Sequence, residues 1–241
     1  MNKFYSSISD VYDYIFPPSK AQTNFILSEI DTPSQKNILD IGCGTGNLSS
    51  SLAKHFKSVQ AVDLDMEMIN KANEKYRLNN LFFSCADMLK ISEYFKSDKF
   101  DSIDSFGNTL VHLDSPDEIL NFFNETKKLL NDSGKLLIQI INYDRILTNN
   151  VKSLQTIDNE HIKFERYYNY LSDKHKIEFK TILTIKESNQ IIHNSVNLYP
   201  LLKEETNNLL LEAGFQHISF YGNFMKEKYS INSIPLIFEA Y

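Results

Sequence analysis

The chain has little that would suit it to nucleic acid, a membrane or an oxidising compartment. Its 25 lysines and arginines are outnumbered by 31 acidic residues, leaving a net charge of −6 over 241 residues. Phosphate backbones select basic surfaces, so no nucleic-acid or anionic-membrane partner is expected. No apolar run approaches ~18 residues, and the start, Met1-Asn2-Lys3-Phe4-Tyr5-Ser6-Ser7, lacks the apolar stretch of a secretory leader. A cytoplasmic location with no membrane association is therefore expected. The two cysteines, Cys43 and Cys85, fall near the ends of apolar, strand-like stretches, which predicts packed, reduced thiols rather than a disulfide or a metal site. Internal repeats, low-complexity tracts and long linkers are missing, as is any recognisable Ser/His/Asp or Cys/His nucleophile arrangement. What remains is a chain with 42% hydrophobic residues, enough to bury a core as one larger domain or one domain with a substantial insert.

The most informative stretch is Ile38-Leu39-Asp40-Ile41-Gly42-Cys43-Gly44-Thr45-Gly46-Asn47. Apolar residues flank Asp40 and run into a turn with three glycines. Leu48, Leu52, Ala53 and Phe56 then return at helical spacing, the pattern of a buried strand, a tight loop and a helix. Glycines there let the backbone approach a ligand, and the amides of the helix start point at it. A dinucleotide fingerprint needs a third glycine where Asn47 stands, so the spacing does not favour a pyrophosphate or a nicotinamide enzyme. A second strand, Val59-Gln60-Ala61-Val62, ends in Asp63, whose carboxylate can accept both hydroxyl hydrogens of a ribose. An adenosine-containing ligand fits these features.

Along the chain, helices are predicted over 3–14 and 20–30, followed by strand 37–41, helix 48–56, strand 59–63, helix 66–76, strand 81–86 and strand 99–106. This alternation implies a parallel sheet covered on both faces. A helix then starts at Ser115, with Pro116 in its first turn and Glu118 completing a capping box. Ile119, Leu120, Phe122, Phe123, Leu129 and Leu130 form its buried face, and Gly134 is expected to end it before strand 135–141. From about 147 to 200 the stretches 162–170, 176–186 and 190–198 alternate apolar with polar residues around the turns Ser172-Asp173 and Ser188-Asn189. Helix 203–213 and strands near 215–220 and 233–239 finish the chain. The expected division is a cofactor-binding domain over 1–146 and 201–241, with an antiparallel β insert over 147–200 acting as a substrate lid.

At these residues the chain resembles the class I S-adenosylmethionine-dependent methyltransferases. Leu39 to Gly46 is similar to the family's first motif, Ala61 to Ile69 to its second, Cys85-Ala86-Asp87-Met88 to its third and Phe100 to Leu113 to its fourth. The resemblance implies an α/β fold: a doubly wound, mostly parallel seven-stranded Rossmann-like sheet with an antiparallel last strand and a small antiparallel β insert. It implies S-adenosylmethionine as cofactor and S-adenosylhomocysteine as product. Cofactor contacts carried over are Asp40, Gly42, Cys43, Gly44 and Gly46 at the first motif, Asp63 and Leu64 at the ribose, and Met68 against the adenine. Ala86, Asp87 and Met88 join them, with Asp87 receiving the adenine amino group.

Three further stretches, 12–17, 106–113 and 142–146, are similar to the glycine and sarcosine N-methyltransferases and their bacterial small-molecule relatives. That narrower resemblance places Phe106, Gly107 and His112 at the amino-acid end of the cofactor and turns Asn108 to the acceptor. Asn108 and Tyr143 are assigned to the acceptor's chemistry, and Tyr12, Tyr14, Asn108, Arg166 and Tyr168 to substrate binding. One position departs: where the glycine enzymes carry a carboxylate-binding arginine just before Asn-Tyr-Asp, this chain has Ile141. Isoleucine offers neither charge nor hydrogen bond, which speaks against glycine as acceptor. Arg145 or Arg166 could supply the charge from another direction, a solvated ion pair being the alternative for each. His112 can be a base or a cofactor contact, and His112 with Asp114 alone does not make a metal site. Tyr167, Tyr168 and Tyr170 can form an aromatic wall or a packed sheet face. The activity implied is transfer of a methyl group to a small molecule, most plausibly at an amine nitrogen, by a monomer or homodimer. O-methylation, and cofactor binding without catalysis, are the alternatives.

Overall fold

The computed structural model describes residues 4–241. Seven strands form one sheet in the order β10-β11-β5-β4-β1-β2-β3. β1 (Asn37–Ile41), β2 (Ser58–Asp63), β3 (Leu81–Cys85), β4 (Phe100–Ser105) and β5 (Leu130–Ile141) pair in parallel, while β11 (Pro235–Ala240) runs antiparallel between β5 and β10 (Ile218–Tyr221). Alternate residues of β1 face opposite cores: Leu39 and Ile41 join the larger apolar cluster, Ile38 the smaller one beneath α2 (Lys20–Glu29) and α3 (Asn47–Leu52). Burial on both faces is why this strand reads as an unbroken apolar run.

The remaining helices of the sheet are α4 (Met66–Lys75), α5 (Ile91–Tyr94), α6 (Pro116–Leu129), α7 (Tyr143–Thr148) and α8 (Lys203–Glu212). The expected cap of α6 forms: Ser115 Oγ accepts the Glu118 amide at 3.2 Å, and the Glu118 carboxylate accepts the Asp114 amide at 2.7 Å. Its expected end does not. The helix stops at Leu129 and the chain enters β5 at Leu130, which pairs with Phe100. The next pairing in register is Ser102 with Lys135, so 131–134 bulge from the strand and Gly134 sits inside that bulge instead of capping a helix.

The stretch 147–200 gives a separate antiparallel sheet, β6 (Ser153–Asp158), β7 (Ile162–Leu171), β8 (Lys176–Ile185) and β9 (Gln190–Leu198). The last three match the predicted stretches to within a residue. β6 and α7 had no clear periodic signal, being a mostly exposed edge strand and a six-residue helix. The helix expected over 3–14 is a 3-10 turn, Ser6–Val11, followed by one turn of α-helix, α1 (Tyr12–Ile15); Lys3 lies outside the described residues. Phe4, Ile8, Val11 and Ile15 pack on Ile162, Phe164 and Leu183, so this segment closes over the inner face of the second sheet.

Candidate active site

The carboxyl ends of β1, β2 and β4 meet at the glycine turn. Gly44 has φ +55°, and a Cβ built on it would lie 3.2 Å from the ring of Tyr12. Gly46, at φ +81°, would drive a Cβ to 2.5 Å from Phe83. Both positions therefore require glycine. Asp63, at the end of β2, accepts the Gly44 amide through Oδ2 and the Asp65 amide through Oδ1, each at 2.9 Å. Burial raises its pKa, and these backbone donors pull it back down. Leu64 and Met66 follow it with 54% of their surface exposed, offering apolar area beside the carboxylate. Ala86 donates its amide to the Asp63 carbonyl at 3.1 Å, and Asp87 caps the short turn at Met88–Lys90 through the Leu89 amide at 2.9 Å.

Two first-motif and second-motif expectations need correction. Met68 is only 1% exposed and packs inward from α4 with Ile69 and Ala72, because its spacing from Asp65 points it at the sheet; the exposed neighbours are Leu64 and Met66. Asp40 is 2% exposed and lies beneath the loop, accepting Ser49 Oγ at 2.5 Å. It braces the turn from below. Its register partner on β4 is Asp104, also buried. Burial pushes Asp40 up to about 6, with the Asp63 charge adding to the rise and the hydrogen bonds with Ser49 and Asp104 opposing it, and it pushes Asp104 well above the usual carboxylate range, with Asp40 adding to that rise. Cys43 and Cys85 are free, half-buried thiols, less enclosed than expected.

At the end of β4, Phe106 packs in the core against Phe224 (5.4 Å) and Phe25 (6.1 Å). Gly107, at φ +90°, donates its amide to Gln139 Oε1 at 2.9 Å. Asn108 is itself left-handed, φ +75°. Its Oδ1 accepts the Ile141 amide at 2.9 Å and its Nδ2 donates to Tyr143 Oη at 3.1 Å. The amide expected to stand open to an acceptor instead staples the β4 exit to β5 and aims a fully buried phenol. His112 Nε2 pairs with Tyr5 Oη at 2.8 Å, and burial lowers its pKa to about 4. It is a neutral imidazole near pH 7, bound to Tyr5, not a cation awaiting a carboxylate.

The N-terminal segment and the second sheet complete the site. Asp13 accepts Thr45 Oγ1 (2.6 Å) and Asn47 Nδ2 (2.8 Å) and pairs with Lys75, tying α1 to the glycine turn. Tyr5 and Asp13 were not singled out from sequence: Tyr5 belongs to no motif, and Asp13, although inside the 12–17 stretch, was given no role there. Tyr14 is 44% exposed and stacks on His161 at 3.9 Å. Of the three tyrosines on β7, Tyr167 and Tyr170 are exposed and only Tyr168 is buried, tilted against Phe179 at 5.4 Å. Burial raises the phenols of Tyr5, Tyr143 and Tyr168, so all three are protonated near neutrality.

These residues suit an adenosyl sulfonium ligand. A glycine cradle that a Cβ would fill sits beside a carboxylate with lone pairs to spare, next to exposed Leu64 and Met66. Among the described residues no helix is long and apolar enough to cross a membrane. Residues 38–134 match a family model described as a methyltransferase domain. A glycine/sarcosine N-methyltransferase of Aphanothece halophytica is 27% identical over 216 residues, covering 86% of this chain and 77% of the relative. A ubiquinone biosynthesis O-methyltransferase of Coxiella burnetii is 32% identical over 110 residues, 44% of each chain. The crystal structure of an S-adenosylmethionine-dependent methyltransferase from Clostridium acetobutylicum has the same fold, with a TM-score of 0.82 at 17% identity over 98% of both chains. With its glycine turn, acidic strand end and strand order, the chain carries a methyltransferase domain over residues 38–134 and shares the fold of S-adenosylmethionine-dependent methyltransferases, which supports methyl transfer to a small-molecule acceptor.

Proposed function

We propose that the acceptor atom is an amine nitrogen. The observation that carries this is the absence, among the described residues around Asn108, of a group able to take a proton from a hydroxyl. His112 titrates near 4 and is bound to Tyr5, and the surrounding phenols are held protonated by burial. A phenol or alcohol needs a base in the site to take its proton, whereas an ammonium can give its proton to water as it is desolvated on entering the pocket, and the neutral amine then offers its lone pair. The name of the Aphanothece relative points the same way.

In this reading Asp63 holds the ribose hydroxyls and Gly44 lets the backbone approach the methionine portion. Leu64 and Met66 flank the adenine, and Asp87 takes its amino group. When bound, the cofactor supplies a sulfonium methyl that the acceptor lone pair attacks while the carbon–sulfur bonding pair leaves on sulfur. Asn108 and Tyr143 fix the floor of the acceptor pocket. Tyr12, Tyr168 and the insert over 147–200, acting as a lid with the N-terminal segment, exclude water. Alignment of this kind can lower a barrier by ~7 to 11 kcal/mol without a covalent residue.

The test is transfer of labelled methyl from S-adenosylmethionine to a panel of primary and secondary amines, phenols and carboxylic acids, with the product bond identified by mass spectrometry. N-methyl products are expected. Products methylated only at oxygen would sink the reading.

A further inference from the structure

Two carboxylates are buried side by side beneath the glycine turn, with nothing cationic beside them. β1 and β4 pair in register, Ile38 opposite Ser102 and Asp40 opposite Asp104, so the two aspartates sit on neighbouring strands, about 4.8 Å apart across the sheet, and share one face. Asp104 is fully buried and Asp40 is 2% exposed, in a core built from Phe25 and Ile26 of α2, Ile38 of β1 and Leu137 of β5. Asp40 accepts Ser49 Oγ from α3 at 2.5 Å, whereas neither oxygen of Asp104 meets an N–H or hydroxyl donor among the described residues. The other titratable groups that reach the pair are Asp63, from the end of β2, and the Cys43 thiol in the turn, and neither brings positive charge. No lysine, arginine or histidine pairs with either carboxylate among the described residues.

Two unpaired negative charges at this depth are strongly disfavoured, and one proton between them removes the repulsion. The hydrogen bonds say which carboxylate carries it. Asp40 already serves Ser49 as an acceptor, so Asp104 is the donor of the pair, and its proton gives an otherwise unpartnered group the one hydrogen bond within reach, to Asp40. Burial and the contact with Asp40 hold the Asp104 carboxyl well above the usual carboxylate range, while Asp40 is raised only to about 6. Two carboxyls so coupled titrate as one unit. That unit is joined to the cradle twice. Asp40 holds, through Ser49, the helix that starts directly after Gly46, and it feels the charge of Asp63, which accepts the Gly44 amide.

S-adenosylmethionine and S-adenosylhomocysteine differ by one methyl group and, at the sulfur, one positive charge. Resting on the placement of the cofactor in the Gly44 cradle, and not on the nature of the acceptor, we propose that Asp40 and Asp104 form a proton-linked counter-charge that discriminates cofactor from product: the pair gives a proton to solvent when S-adenosylmethionine binds and takes one back when only S-adenosylhomocysteine remains. A cation held at the turn stabilises the ionised pair and lowers the pH at which it loses its proton; by linkage, the ionised pair holds the cation more tightly. Affinity for S-adenosylmethionine therefore rises with pH through the range in which the pair titrates, and affinity for the neutral sulfide does not follow it. The site sheds its product in favour of fresh cofactor more readily above that range than below it. Asp104 acts through Asp40, as a positioning residue and not a catalytic one.

Calorimetry with both ligands tests this without knowledge of the acceptor. Parent and Asp104→Asn proteins are titrated with S-adenosylmethionine and with S-adenosylhomocysteine from pH 5.5 to 8, in pairs of buffers of different ionisation enthalpy, so that protons released on binding are counted. Asparagine at 104 still donates to Asp40 but cannot titrate, and the ligands' own amino groups titrate alike against both proteins and cancel in the comparison. Relative to Asp104→Asn, the parent's preference for S-adenosylmethionine over S-adenosylhomocysteine should grow with pH by roughly threefold or more, the scale of one charge acting through a partly screened interior. The parent should also release more proton on binding S-adenosylmethionine than the variant does. A merely structural Asp104 shifts both affinities together, so equal pH dependence of the preference in the two proteins overturns the proposal, as does a parent preference that grows less than the variant's. A measurement on the parent alone covers loss of fold in the variant. With carbon-13-labelled aspartate, the carboxyl resonances that titrate above pH 5 with S-adenosylhomocysteine bound should titrate at lower pH with S-adenosylmethionine bound, and an unchanged titration counts equally against the pair. Failure of the cofactor's placement shows separately, as a folded Gly44→Val protein that binds both ligands like the parent.

Discussion

Around Gly44 the chain is built from backbone and one carboxylate, whereas around Tyr168 it is built from side chains drawn from α7, β7 and β8. The first region is a continuous stretch from β1 to α4, with Asp63 bonded to the Gly44 and Asp65 amides. The second brings Asn108, Tyr143 and Tyr168 together from positions tens of residues apart. A backbone cradle tolerates little change, because there is no side chain to readjust. A side-chain pocket can be altered residue by residue while the sheet persists. Mutations should therefore act in an all-or-none manner at the cofactor end and in graded fashion at the acceptor end.

The sharpest break in that contrast is Gly44→Val. Any side chain there adopts an unfavourable left-handed φ and meets the Tyr12 ring at 3.2 Å from its Cβ. Calorimetric binding of S-adenosylmethionine should fall by more than a hundredfold, about 2.7 kcal/mol or more. A folded variant that binds as tightly as the parent would show that the cradle is not where the cofactor lies.

Asp63→Ala comes next. Loss of charge-assisted hydrogen bonds should cost about 1.5 to 3 kcal/mol of cofactor affinity. The variant also frees the Gly44 and Asp65 amides, so part of that loss is loosening of the turn. Asp63→Asn retains one acceptor oxygen and should lose less. Equal affinities for parent and alanine variant by calorimetry would remove Asp63 from the ribose site.

Beneath the cradle, Asp40 and Asp104 link this region to pH. Folding raises the pKa of both, so it favours their protonated forms. Their contribution to stability is complete below the unfolded value near 4, and it is lost as pH rises through about 6 for Asp40 and higher still for Asp104. Asp104→Asn removes one charge of the pair without changing its shape. Urea unfolding should find the variant more stable than the parent by roughly 1 to 2 kcal/mol at pH 8, with no gain at pH 4. A gain of the same size at both values would place the effect in packing.

Legibility in the sequence follows the same division. The parallel strands were readable because burial on both faces makes them continuous apolar runs, and the glycine turn because its backbone demands a residue type. β7 to β9 were readable from alternation. α6 was readable at its start, where Ser115 and Glu118 cap it, but not at its end, because Gly134 marks a bulge in β5. Orientation within a motif was less accessible: Met68 was expected against the adenine, yet helical spacing buries it and leaves Leu64 and Met66 outside. Tyr5 and Asp13 reach the site only through tertiary packing of a segment with no periodic signal. Arg166 and Thr181 were visible as residues, but that they face each other exists only once β7 and β8 are paired.

The smallest effect sharpens the role of Asn108, where the two regions join. Its oxygen accepts the Ile141 amide and its nitrogen donates to Tyr143, all from a left-handed backbone that asparagine and glycine tolerate better than alanine. Asn108→Gly and Asn108→Ala lose the same hydrogen bonds, so the difference between them isolates the backbone term. Alanine should be less stable than glycine by about 1 kcal/mol. Both should lose turnover per folded molecule by several-fold or more, since freeing Tyr143 unsettles the pocket floor while cofactor affinity changes little. Melting temperature, calorimetric affinity and rate, measured on the same preparations, separate these effects. If both variants melt lower but turn over as fast as the parent, Asn108 only braces the exit of β4, and the alignment of the acceptor rests on the side chains of the second sheet.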